Sequence, residues 1–108
     1  MVFIESKAFT KVAQELLTEE EMMDLQKGLL QNPKRGVVIP GTRSLRKLRL
    51  GLSAQGKGKR GGARLIYFFF ELKSHLHLLL IYPKGKKDNL TATEKKILNA
   101  LVDEIEKT

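Results

Sequence analysis

ARLIYFFFE (residues 63–71) and LHLLLIY (residues 76–82), four residues apart, decide the fold. Both runs are too short for helices in a core and are rich in aromatic and branched side chains, so they read as strands. They are apolar on both faces, as a central hairpin covered from two sides would be. Upstream, LRKLRL (residues 45–50) can form a strand. Period two puts Lys47 and Arg49 on one face of a strand and Leu48 and Leu50 on the other. Residues 51–62 hold five glycines with Lys57, Lys59 and Arg60, the composition of a flexible loop. Residues 36–41, closed by Pro40-Gly41, read as turns.

The ends of the chain supply the helices. Val2-Phe3-Ile4 predicts a short strand. Phe9, Val12, Ala13, Leu16 and Leu17 then recur at helical spacing from Ser6. Thr18-Glu19-Glu20-Glu21 is a capping box, in which the threonine hydroxyl takes the Glu21 amide and the acids suit the helix dipole. It opens a second helix through Met22, Leu25, Leu29 and Leu30, which Asn32-Pro33 stops. Thr91-Ala92-Thr93-Glu94 repeats the box before a last helix with Ile97, Leu98, Leu101, Val102 and Ile105 on one face. The order β-α-α-β-β-β-α predicts an α+β fold, a mainly antiparallel sheet with helices packed against it, in a single domain over residues 1–108.

Charge is unevenly placed. The chain carries 20 Lys+Arg and 12 Asp+Glu, a net +8. Between Leu25 and Phe70 lie eleven basic residues and no acid, so the remainder is slightly acidic. Clustered positive charge repels itself and contributes nothing to folding, which points to a polyanionic partner, nucleic acid first. The absence of cysteine excludes a disulfide framework and thiol chemistry and suits a cytoplasmic location. No apolar run approaches the length of a membrane span, and the N-terminal residues do not resemble a signal peptide, so no membrane partner is expected.

Several local patterns have a bland reading that wins. Gly56-Lys57-Gly58-Lys59-Arg60-Gly61 spells the dinucleotide fingerprint, but a strand follows it where a helix is required. Residues 51–57 imitate a P-loop, but Gly58 stands where a magnesium-binding hydroxyl belongs. The segment reads better as a cationic arm whose glycines allow close approach to phosphate. His75 and His77 lack a third ligand or a carboxylate nearby in sequence and read as structural. Tyr67-Phe68-Phe69-Phe70 imitates a base-stacking ribbon but belongs in the core of a central strand. Tyr82, just before Lys84, Lys86 and Lys87, is divided between core and groove edge. Lys47, Arg49 and Arg64 carry the sharper expectation: if their strands pair, three cations project from one sheet face. Lysines that merely guard a sheet edge are the competing reading, but an acid-free cluster of this size exceeds that need.

Gly41-Thr42, Leu45-Arg46-Lys47-Leu48-Arg49, GKGKRGGARLIY (residues 56–67), Ile81-Tyr82-Pro83-Lys84 and Leu90-Thr91 together resemble the RelE-like toxins of bacterial toxin–antitoxin modules, the HigB-type branch above all. The resemblance spans nearly the whole chain. It implies a microbial RNase fold and an endoribonuclease that cuts mRNA in the ribosomal A site. It also implies a cognate antitoxin, expected to be a small helix-turn-helix protein. By the same resemblance Lys47 and Arg49 are the paired cations of the second strand, and Arg64 contacts the scissile phosphate. The Lys84–Lys87 segment is similar to the family's basic segment after the last strand, and the resemblance leaves open which lysine corresponds, Lys84 being one choice. Arg46, Lys57, Lys59, Arg60, Tyr82, Lys86 and Lys87 would contact RNA or ribosome. The C-terminal tyrosine of some relatives has no counterpart after Tyr82.

The chemistry is compatible with this assignment. RNA brings its own nucleophile, the 2′-hydroxyl, so the protein must position it, move protons and stabilise charge on phosphorus. Arginine's fixed fork of donors suits Arg64 to a phosphate. The base must be neutral near pH 7, and Lys47, Lys57 and Lys84 all remain candidates. No metal or other cofactor is expected. A noncatalytic module that blocks translation by occupying RNA or ribosome is the alternative. A DNA-binding regulator is disfavoured because the charges lie on strand and loop rather than on a recognition helix.

Overall fold

The structure is a computed structural model that describes residues 1–51, 62–86 and 89–108. In chain order it contains β1 (Val2–Glu5), α1 (Lys7–Leu16), α2 (Glu19–Gln31), β2 (Val37–Val38), β3 (Leu45–Leu50), β4 (Ala63–Phe70), β5 (His75–Pro83) and α3 (Ala92–Lys107). The strands form one sheet in the order β1-β5-β4-β3-β2. β1 runs parallel to β5, and every other pairing is antiparallel. The fold is therefore α+β, as the alternation and the capping boxes predict.

Helix starts follow the side-chain chemistry. The Ser6 hydroxyl accepts the Phe9 amide at 3.0 Å and opens α1. Thr18 and Glu21 form a reciprocal capping box on α2, as Thr91 and Glu94 do on α3. Each satisfies amides that a helix start otherwise leaves orphaned, a contribution of about 1 kcal/mol per cap. Among the described residues, no helix is long and apolar enough to cross a membrane.

The sheet is covered on both faces. Phe9, Ala13, Leu25 and Leu29 of α1 and α2 pack on Leu48, Leu65, Tyr67, Leu76, Leu78 and Ile81. Leu98 and Val102 of α3 pack on Leu45, Ile66, Phe68, Phe70 and Leu79 from the other side. Each fully buried side chain of this size stabilises by about 1.5–3 kcal/mol. The Tyr67–Phe70 run is thus core, with Phe68 and Phe70 stacked at 5.8 Å between centroids.

Three details correct the expectations. Residues 36–41 are not all turn, because Val37 and Val38 form the edge strand β2 opposite Lys47 and Arg46. Two adjacent β-branched residues favour extended backbone even between turn signals. His75 opens β5 rather than closing the turn, and the left-handed residue there is Ser74, at φ 53°. β5 also carries a bulge: Ile66 faces Leu80 while Tyr67 faces Leu78, leaving Leu79 as an extra residue. A bulge reverses the in–out parity of the residues beyond it. It lets His77 sit opposite Phe68 and, five residues on, Tyr82 sit opposite Arg64 on the same face.

Candidate nucleic-acid interface

The α3 side of the sheet has a covered half and an open half. Residues directly opposite on neighbouring strands share a face. Arg49 of β3 is opposite Arg64 of β4, and Arg64 is opposite Tyr82 of β5. Lys47 lies two residues from Arg49 on that face, opposite Ile66. Just past the end of this row, the Lys84 amide donates to the Gly62 carbonyl at 2.7 Å and starts a turn that Gly85 completes at φ 98°. Arg49, Leu50, Gly51, Arg64 and Lys84 line a groove of about 370 Å³ at this open end. Lys47, Arg49 and Arg64, expected on one face if their strands pair, are therefore neighbours there, and Lys84 lines the groove beside Arg49 and Arg64.

Within the groove the cations are held but not neutralised. Arg64 is half-buried and its Nη1 donates to the Ala63 carbonyl at 3.3 Å. Arg49 is exposed. Neither arginine forms a salt bridge with a carboxylate among the described residues. No carboxylate lines the groove among those residues. Lys47 Nζ donates to Asn89 Oδ1 at 3.2 Å, which ties β3 to the segment before α3. Arg49 also borders a smaller cavity of about 200 Å³, where Glu21 and Asp24 of α2 face Arg35. Glu21 and Asp24 line that cavity with Arg49 but not the groove itself.

Other residues singled out in the sequence are placed differently. Arg46 points to the opposite face and donates through Nη1 to the carbonyls of Lys34 at 3.1 Å and Gly36 at 2.6 Å. It clamps the link between α2 and β2 and is not part of the groove. Tyr82 is 8% exposed, with its ring in the α3-side core, so it borders Arg64 from below rather than offering a stacking platform. Lys86 is exposed and lines a separate cavity with Val12, Glu15 and Leu16 of α1. Lys57, Lys59, Arg60 and Lys87 lie outside the described residues.

Two buried groups, Tyr67 and His77, have surroundings that the sequence does not show. The Tyr67 hydroxyl donates to the Pro33 carbonyl at 2.8 Å and accepts from the Gly36 amide at 2.8 Å. Burial raises its pKa, against smaller opposing effects from the Gly36 amide, Arg46 and Arg35. His77 is buried and stacks on Phe68 at 6.0 Å, with His75 at 6.2 Å. Burial, and secondly the His75 charge, lower its pKa. Among the described residues no three His, Cys, Asp or Glu side chains gather as metal ligands would.

A solved structure shares this architecture. A double arginine-to-alanine mutant of the E. coli toxin RelE in the free state is similar over 90% of this chain and 95% of that one, with a TM-score of 0.60 and 16% sequence identity. The chain thus has a RelE-like fold. No family model matches the sequence.

Proposed function

We propose that the protein is the toxin of a toxin–antitoxin module, of the HigB type, and acts as a ribosome-dependent endoribonuclease on mRNA in the A site. The observation that carries this reading is the row of Lys47, Arg49 and Arg64 on one sheet face of a RelE-like fold, beside Lys84 and with no carboxylate among the described residues lining the groove.

Cleavage by this set needs only the substrate's own nucleophile. The 2′-hydroxyl attacks the adjacent phosphorus as a base takes its proton, and the 5′-oxygen leaves with a proton from an acid. The products are a 2′,3′-cyclic phosphate and a 5′-hydroxyl. Arg64, half-buried and opposite Arg49, would hold the phosphate and stabilise the charge that develops on it. Arg49 supplies the second cation. Lys47 and Lys84 flank the pair and are the described candidates for proton transfer, with Lys57 as the third. A groove whose described charged residues are all cationic suits metal-free chemistry, because a divalent ion would need carboxylate or phosphate oxygens to hold it. The ribosome's hold on the mRNA would supply much of the positioning. The partners of this reading are mRNA, the ribosomal A site and a cognate helix-turn-helix antitoxin, in the cytoplasm.

Primer extension on a reporter mRNA in a reconstituted bacterial translation system tests it, with and without ribosomes. Discrete cuts that require ribosomes, and that Arg64→Ala reduces by about 10²-fold or more, are expected. Inhibited translation on intact mRNA would refute catalysis and leave occupancy as the activity.

A further inference from the structure

A second cavity adjoins the cationic groove on the same face. It measures about 410 Å³ and is lined by Val37, Val38, Ile39, Pro40, Lys47, Asn89, Leu90 and Lys95. Its floor is apolar, with Ile39 and Leu90 both 7% exposed, and its polar groups are few. That size and composition suit a small planar ligand. Lys47 joins the two cavities: it lines this one and sits two residues from Arg49, about 6.5–7 Å along the strand. A ligand with an anionic group in the groove and a flat apolar body beside it would fill both.

Resting on the ribonuclease reading, we infer that this cavity is a nucleobase subsite, taking the base of a nucleotide next to the scissile phosphate, and that Asn89 reads its edge. The polar groups facing it are donors. Lys47 Nζ donates to Asn89 Oδ1 at 3.2 Å, which fixes the amide and leaves both Nδ2 hydrogens without an acceptor among the described residues. Lys95 Nζ donates to the Pro40 carbonyl at 2.9 Å on the rim and has further hydrogens to offer. A donor-lined slot selects a base edge made of acceptors. Guanine presents O6 and N7 together, whereas adenine pairs N7 with an amino group that would meet Nδ2 donor to donor. The subsite therefore favours guanine over adenine.

The full-length protein, isotopically labelled, is titrated at low salt with guanosine 3′-monophosphate, adenosine 3′-monophosphate and ribose 5-phosphate while backbone amide resonances are followed. Guanosine 3′-monophosphate is expected to bind about fivefold or more tightly than the adenosine nucleotide. Its base should shift Val38, Asn89 and Leu90, while ribose 5-phosphate shifts only residues beside Arg49 and Arg64. Asn89→Ala should abolish the discrimination, and Asn89→Asp, which replaces donors by an acceptor, should weaken the guanosine nucleotide most. Asn89 is exposed, and the same spectra report whether each variant is folded. Equal affinities, shifts confined to the arginines, no binding at all, or discrimination that survives Asn89→Ala would each overturn the inference. Failure of the ribonuclease reading would show separately, as uncut mRNA in the translation assay.

Discussion

Replacing Tyr67 by phenylalanine should remove a strut that holds the link between α2 and β2 in place. The ring is fully buried, so phenylalanine keeps the packing and removes only the hydroxyl. Two hydrogen bonds go with it, to the Pro33 carbonyl and from the Gly36 amide, each 2.8 Å long. A net bond contributes about 0.5–1.5 kcal/mol, and a buried amide left without an acceptor costs about 1–3 kcal/mol. The Pro33 carbonyl is only partly buried and regains water, so the sum is about 2–4 kcal/mol, a large share of a small domain's typical 5–15. With a urea m-value of about 1.5 kcal/mol/M, the unfolding midpoint should fall by about 1.3–2.7 M. Hydrogen exchange provides the local readout, since the Gly36 amide should lose protection well beyond the global loss. A midpoint within about 0.5 M of the parent at unchanged slope, with Gly36 still protected, would refute the reasoning and show that water replaces the hydroxyl.

Three further outcomes rest on the same geometry. Gly36→Ala would place its Cβ 2.8 Å from Tyr67 Cε1 and 3.0 Å from the Lys47 carbonyl, so a loss of about 1–3 kcal/mol is expected in urea unfolding. His77 has a folded-state pKa below its unfolded value of about 6.5, so the unfolded chain binds the extra proton and stability falls as pH drops below about 6.5 toward the folded value. His77→Phe, which keeps the stack on Phe68 and leaves His75 in place, should flatten that part of the stability–pH curve; an unchanged slope would place the pH dependence elsewhere. Arg49→Thr removes a like-charge pair from directly opposite Arg64 and should raise stability by about 0.2–1 kcal/mol while lowering mRNA cutting in the translation assay.

Much of this was legible because it depends on period and on local chemistry. LRKLRL places Lys47 and Arg49 together through alternation alone, and both Thr-x-x-Glu boxes mark the helix starts where the structure has them. The same alternation carries a signal that grouping cations by proximity in sequence passes over: Arg46, adjacent to Lys47, must face the other way, and it does. Other features depend on tertiary arrangement. Period two assigns faces within a strand but says nothing of which strands pair or in which direction, so the parallel seat of β1 beside β5 was not readable. A single-residue bulge leaves no mark in an apolar run like LHLLLIY, yet it decides which face Tyr82 joins. Tyr67 is indistinguishable in sequence from its phenylalanine neighbours, because its role depends on Pro33 and Gly36 arriving at its hydroxyl. Asn89 had no motif to announce it, and only its contact with Lys47 gives it a direction.

The distribution of acids argues that the cationic row is kept against the interest of stability. Arg43, outside the row, is paired with both Asp103 and Glu106 of α3, so the chain does neutralise an exposed arginine where helix and loop meet. Arg49 and Arg64 instead face each other across neighbouring strands, and no carboxylate among the described residues lines their groove. A threonine or a glutamate at either position would suit an antiparallel pair better than two arginines do. Solubility does not explain the arrangement, since Arg64 is half-buried and an edge is guarded as well by one lysine. Packing does not explain it either, because Leu98 and Val102 of α3 already cover the apolar half of the same face and leave this half open. The arrangement is what the proposed function requires: a phosphodiester seated between Arg49 and Arg64 would supply negative charge and convert the repulsive pair into a charge-assisted clamp.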